Sequence, residues 1–203
     1  MIRPRHLLAA AGLAVLGAAL WWRKNPSACP YGQRFWVEAP HPFISRARLA
    51  EALDLASGER ILEIGPGTGY YTLALADGVG REGALEIFDI QQEMLDHTMR
   101  RVAEHGISNV TPTRGDATSL PHPDDSFDAV VLVTVLGEIP DQAAALAEIK
   151  RVLRPGGRLV VGELFGDPHF QAFGTLRRRS EEAGLAFEGR SGPWFGYFAR
   201  FGA

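Results

Sequence analysis

The chain has 203 residues, 46% of them hydrophobic and 22% charged, which suffices for one α/β domain with an appendage and not for two full domains. Four of its 21 basic residues (Arg3, Arg5, Arg23, Lys24) and none of its 24 acidic ones fall in residues 1–24, leaving 17 basic against 24 acidic residues for the rest. A body of that charge is a poor binder of nucleic-acid backbones, and a single cysteine, Cys29, excludes an internal disulfide and cannot by itself make a metal site.

The first element is the uncharged run from Leu7 to Trp22, 16 residues. As a helix it is about 24 Å long, slightly short of the ~20 residues of an ordinary membrane span. Trp21 and Trp22 followed by Arg23-Lys24 supply an interfacial aromatic pair and a charged stop. Residues 1–24 are therefore expected to be an N-terminal transmembrane anchor. A cleaved signal peptide is the main competitor, disfavoured by the bulky Trp-Trp-Arg-Lys where small residues are wanted; a soluble packing helix is the third possibility. Basic residues flank the run on both sides, so charge leaves its orientation open.

Residues 25–56 read as a connector and lid helix. Four prolines between 25 and 42 mark a chain that hugs a surface. Over 45–56, Leu49, Ala52, Leu53 and Ala56 recur at helical spacing behind Ser45 as a cap. Tyr31, Phe35, Trp36 and Phe43 are expected either to form an apolar lid or simply to pack the connector.

From residue 57 to 203, β-prone runs alternate with helical stretches. Strands are predicted at 60–64, 84–89, 110–114, 129–134 and 158–163, and helices at 70–78, 91–105, 142–153 and 171–183. The aromatic run 194–201 reads as a further, edge strand. Such alternation predicts a doubly wound, mostly parallel sheet with helices on both faces and ligands at the carboxyl ends of its strands.

Gly65, Gly67 and Gly69 follow the first strand directly, in the stretch EIGPGTGYY. A dinucleotide fingerprint needs its third glycine one place later, where Tyr70 stands. Asp89 ends the second strand and can accept hydrogen bonds from both hydroxyls of a ribose; its bland reading is a helix cap. Asp116, in Gly115-Asp116-Ala117 after the third strand, can accept from an exocyclic adenine amine, or merely form a turn. Any one of these is a weak signal.

Together, EIGPGTG at 63–69, Asp89, GDA at 115–117, SFDAVVLV at 126–133 and LRPGGRLVVGE at 153–163 resemble the class I S-adenosylmethionine-dependent methyltransferases, over roughly 59–163. The QEML at 92–95 makes the chain most similar to the small-molecule, quinone-biosynthesis branch. The resemblance implies a Rossmann-like seven-stranded sheet and S-adenosylmethionine as cofactor, with Gly65, Gly67 and Gly69 lining its methionine and ribose portions. It further implies Asp89 on the ribose, Asp116 on the adenine, and Glu63 on the methionine ammonium or else as a cap.

Methyl transfer from a sulfonium asks chiefly for alignment and dryness, and no metal site is expected, because the six histidines show no paired ligand spacing. If the acceptor carries a proton a base is needed. Glu138 and His169 are the catalytic candidates, with Glu163 and Asp167 behind them; each has an alternative as a cap or surface residue. Arg177-Arg178-Arg179 is expected to be a solvated helix face or to meet anionic headgroups.

The expected protein is thus a membrane-anchored methyltransferase with its body in the cytoplasm, where the methyl donor is made. Its acceptor would be a small lipophilic molecule: a lipid amine, a quinone or a thiol. A nicotinamide-dependent oxidoreductase and a catalytically silent cofactor-binding scaffold remain as alternatives.

Overall fold

The computed structural model describes residues 25–35 and 41–203. The expected anchor at 7–22 and the lid candidate Trp36 lie outside them. Among the described residues, no helix is long and apolar enough to cross a membrane.

A 3-10 turn at Tyr31–Gln33 precedes helix α1 (Arg46–Leu53). There follow β1 (Arg60–Ile64), α2 (Thr72–Val79), β2 (Ala84–Asp89), α3 (Gln92–Glu104), β3 (Val110–Arg114) and β4 (Phe127–Val133). A second 3-10 turn (Leu136–Glu138) leads to α4 (Gln142–Val152), β5 (Leu153–Leu164), α5 (Phe173–Glu182), β6 (Ala186–Ser191) and β7 (Gly196–Gly202).

The seven strands form one sheet in the order β3-β2-β1-β4-β5-β7-β6. Four pairings are parallel, and both pairings of β7 are antiparallel, so the sheet is mixed. This corrects two expectations. The aromatic run near 194–201 does form a strand, but an interior one; the edge is β6, unread in the sequence because AFEGRS carries no apolar alternation and is exposed along most of its length. In β5, Arg154–Gly157 is bulged out between the Phe127↔Leu153 and Ala129↔Arg158 pairs, so that the strand begins earlier than its apolar run suggests.

Apolar side chains cover both faces. Leu49 and Leu53 of α1, Leu75 and Val79 of α2, and Leu95 and Val102 of α3 pack on one. Leu146 and Ile149 of α4 and Leu176 of α5 pack on the other. Central β4 is consequently apolar on both sides, as FDAVVLV requires of a strand buried in an α/β sheet.

The connector helix is part of this core. Ser45 caps α1, accepting from the Arg48 N–H at 3.4 Å. Buried Arg158 of β5 grips the far end of α1, donating to the Leu53 and Asp54 carbonyls, and meets both Glu59 oxygens at 2.8 Å. Nothing in the one-dimensional pattern marks this clamp, because its partners are about a hundred residues apart.

Candidate active site

The carboxyl ends of β1, β2 and β4 splay around the point where strand order reverses, which is where doubly wound sheets place ligands. A cavity of about 310 Å3 opens there. The glycine turn forms its floor. Gly65 and Gly67 line it at φ 71° and 56°, and the Gly65 N–H is tied to the Phe88 carbonyl at 2.8 Å. A Cβ on Gly65 would collide with the side chain of Val135, so the close approach of backbone to cavity depends on glycine at that position.

Asp89 and Asp116 both line the cavity. Asp89 is buried, and its Oδ1 accepts the Gln91 N–H at 2.8 Å. Burial pushes its carboxyl up to about 6, against the backbone donors of Gln91 and Ile90. Asp116 is exposed; Oδ1 accepts the N–H and hydroxyl of Thr118 at 2.9 and 2.8 Å, which hold its carboxyl below the ordinary value.

The chain after β4 supplies the third wall. Thr134 sits at φ 56°, an outlier for a β-branched residue, and the turn it starts carries Val135, Glu138 and Ile139 into the lining. Burial, then repulsion from Asp167 and Asp89, pushes the Glu138 carboxyl up to about 8, although the Cys29 N–H donates to it.

Residues 27–29 close the cavity from above. The Gln91 side-chain amide donates to the Cys29 carbonyl at 2.9 Å, so one peptide segment is held from both sides, by Gln91 and by Glu138. Among the described connector residues, Ser27, Ala28 and Cys29 line the cavity, and the aromatic lid candidates Tyr31, Phe35 and Phe43 do not. Tyr31 instead hydrogen-bonds His97 Nδ1 at 3.1 Å, and Phe35 and Phe43 are exposed.

Three of the sequence candidates fall elsewhere. Glu63 is buried behind the turn, accepts the Thr72 hydroxyl at 2.6 Å and is absent from the lining; burial pushes its carboxyl up to about 7. Gly69, at φ 79°, packs on Thr98 of α3, and Thr98 and Arg101 in turn donate to the Gly67 and Thr68 carbonyls. The third glycine thus seats the turn on α3 and does not face the cavity.

His169 lines a second, neighbouring cleft of about 530 Å3, together with Gly137, Pro140, Gln171 and Arg179. The two cavities share the Gly137–Pro140 turn as a wall, and the His169 backbone lies so close to Gly137 that a Cβ there has no room. Behind the wall, Asp167 accepts the His169 N–H at 2.7 Å, and Glu163 accepts the Gln171 N–H at 2.9 Å. Glu163 is pushed up to about 8 by burial, and its Oε1 has no hydrogen-bond partner among the described residues.

Among the described residues no cluster of three or more His, Cys, Asp or Glu is arranged for a metal. The Arg177–Arg179 run is committed to protein: Arg177 pairs with Glu181, Arg178 with Glu182, and Arg179 with Gln142 and Gln171. The exposed i,i+4 pairs are those of a solvated helix face.

Residues 61–157 match the family model described as a methyltransferase domain. A demethylmenaquinone methyltransferase of Bacillus velezensis is 34% identical over 115 residues, 57% of this chain and 49% of its own length. The chain spans about half the length of the curated relatives it matches. Its fold superposes on a SAM-dependent methyltransferase from Aquifex aeolicus with a TM-score of 0.80 at 19% identity, covering 86% of this chain and 99% of the other. It also superposes on the [4+2]-cyclase SpnF, with a TM-score of 0.65 at 28% identity, over 72% and 57% of the two chains. The matched segment is similar to methyltransferase domains, and S-adenosylmethionine is the cofactor that this similarity implies.

Proposed function

We propose that the chain is an S-adenosylmethionine-dependent methyltransferase, held on the cytoplasmic side of a membrane by residues 7–22, that methylates a small lipophilic acceptor. Among lipid amines, quinones and thiols, a quinone nucleus is favoured, because the curated relative at 34% identity carries a demethylmenaquinone name.

The observation that carries the reading is the cavity's charge. Asp89, Asp116 and Glu138 line it, and among the described residues no Lys, Arg or His does. A ligand bearing a sulfonium and an ammonium suits that lining. A dinucleotide pyrophosphate would meet three carboxyl groups and, among the described residues, no cation, which disfavours the nicotinamide alternative together with Tyr70 at the missing-glycine position.

In this reading Asp89 takes the ribose hydroxyls, Asp116 Oδ2 takes the adenine amine, and Gly65 and Gly67 let the backbone approach the ligand. When bound, S-adenosylmethionine supplies an already activated methyl group. The chain's own tasks are then to align the acceptor and exclude water. Residues 27–29 serve the second task.

For an acceptor that must lose a proton, Glu138 is placed in the cofactor cavity with a carboxyl near 8. A base is most effective with a pKa near the working pH. His169 and the second cleft flank the same turn and provide room for an acceptor. Glu63 and Gly69 act from behind, holding the turn's shape.

The SpnF likeness favours a second reading, in which the domain binds the cofactor and performs other chemistry. Two measurements separate the readings. S-adenosylhomocysteine at a hundred times its Kd raises stability by ~2.7 kcal/mol, and stabilisation by NADH instead sinks the cofactor assignment. Transfer of radiolabelled methyl to a demethylated quinol, a lipid amine or a thiol then tests turnover; cofactor binding with no labelled product from any class leaves the second reading and the catalytically silent scaffold.

A further inference from the structure

Resting on the membrane reading above, we infer that a second surface of the protein enters the bilayer interface: an aromatic patch of Phe43, Phe165, Trp194 and Phe195 at the carboxyl end of β5. Three separate segments build it. Phe43 comes from the approach to α1, Phe165 from the end of β5, and Trp194 and Phe195 from the β6–β7 turn.

Phe43, Phe165 and Trp194 are 42%, 56% and 63% exposed. Their rings nevertheless interlock edge-to-face. Phe43 meets Phe195 at 4.8 Å, Phe195 meets Trp194 at 5.5 Å, and Trp194 meets Phe165 at 5.2 Å. The Phe165 N–H donates to the Phe195 carbonyl at 2.8 Å, which pins two of the segments together. Contiguous exposed aromatics on a fixed platform mark an interaction surface.

Three observations favour lipid as the occupant. Tryptophan and phenylalanine partition to the headgroup boundary of a bilayer. The Gly192–Phe195 turn carries no charge, while Arg48 at the rim donates to the Phe43 carbonyl at 3.1 Å and suits anionic headgroups. Phe165 also stacks on Phe170, and Phe170 and Pro26 line the same cleft. The patch therefore borders the cleft that Pro26, near the start of the described chain, also lines. Two contacts with one bilayer, the segment and the patch, would fix the domain's orientation and turn the cleft toward the lipid.

The test uses the full chain with Trp21, Trp22 and Trp36 replaced by Phe, which leaves Trp194 alone of the four tryptophans. It is reconstituted into vesicles of phosphatidylcholine and phosphatidylglycerol, with or without bromine on the acyl chains. The expected result is co-flotation with the vesicles, and Trp194 emission that is blue-shifted and quenched about twofold by the brominated lipid. Co-flotation with Trp194 unquenched overturns the inference while the anchor stands. Blue-shifted but unquenched emission assigns the patch to a protein contact, such as a second copy, and overturns it too. Failure to co-float removes the membrane reading and this inference together. Thermal stabilisation by S-adenosylhomocysteine on the same sample reports the cofactor reading separately.

Discussion

Asp89→Asn isolates the ribose contact from everything else the cavity does. The side chain is 9% exposed, and its Oδ1 is already occupied by the Gln91 N–H. An amide keeps the volume and one acceptor for Gln91, and presents an NH2 where Oδ2 stood. That group cannot accept from a hydroxyl. Losing charge-assisted hydrogen bonds to a diol is worth about 3 kcal/mol, or roughly a hundredfold in Kd. Stability of the ligand-free protein moves the other way. Asp89 titrates at about 6 against an ordinary 3.8, so the buried charge costs up to about 3 kcal/mol at neutral pH, and the neutral amide removes that cost. Calorimetric titration with S-adenosylhomocysteine and a melting curve without ligand read the two effects. A Kd changed by less than about threefold, with Tm unchanged or higher, would refute the assignment of Asp89 to the cofactor; a lower Tm would mean that the amide disturbs the Gln91 turn.

Three further outcomes follow from buried groups and backbone. Burial raises Glu63 to about 7 and Glu138 and Glu163 to about 8. Their stabilising share is full below the ordinary carboxylate range and is lost as pH rises through those values, so the Tm of the ligand-free protein should fall between pH 6 and pH 8.5, and Glu163→Gln should flatten that slope. A Tm that climbs over this range contradicts it. Gly65→Val puts a β-branched residue at φ 71° and against Val135; it should abolish stabilisation by S-adenosylhomocysteine, with about 1–3 kcal/mol of backbone strain visible in urea unfolding. Arg158→Ala leaves Glu59 without its ion-pair partner and the Asp54 carbonyl without the Arg158 donor, while the Leu53 carbonyl keeps Arg200 and Glu59 keeps the Ala56 N–H. A loss of about 3–5 kcal/mol is expected from equilibrium unfolding, and a loss below about 1 kcal/mol would mean that water replaces the clamp.

What could be read in one dimension was local. Strands β1, β2 and β3 coincide with their predicted bounds, because each is a short β-prone run ended by a turn residue. The same locality put Gly65, Gly67, Asp89, Asp116 and Glu138 in one cavity, since each lies at the carboxyl end of a strand or within a few residues of it and the topology gathers strand ends. Features set by long-range packing escaped. Gly69 turns to α3 because the side chain facing it, Thr98, comes from a helix 29 positions later. The lid at 27–29 has no motif, only peptide groups that meet Gln91 and Glu138. Strand β6 is exposed along most of its length and has no periodicity to betray it, and its neighbour β7 was consequently read as an edge.

If residues 7–22 sit in a bilayer, as proposed, the connector ties membrane and cavity together more tightly than a linker would. From Trp22 to the lid residue Cys29 the chain advances seven residues, at most about 25 Å when fully extended. With residues 7–22 in a bilayer, the cavity that Cys29 covers cannot stand further than that from the interface. A water-soluble acceptor gains nothing from such a tether, whereas an acceptor dissolved in lipid is brought to an effective concentration set by the span. Because the Cys29 peptide is held to the domain by Gln91 beside Asp89 and by Glu138, the cover of the cavity keeps its place whatever the length of the chain before it. Lengthening the chain between 23 and 26 with a flexible Gly-Ser insert should therefore leave cofactor affinity intact while raising KM for a bilayer-dissolved acceptor. An unchanged KM would uncouple the tether from substrate capture.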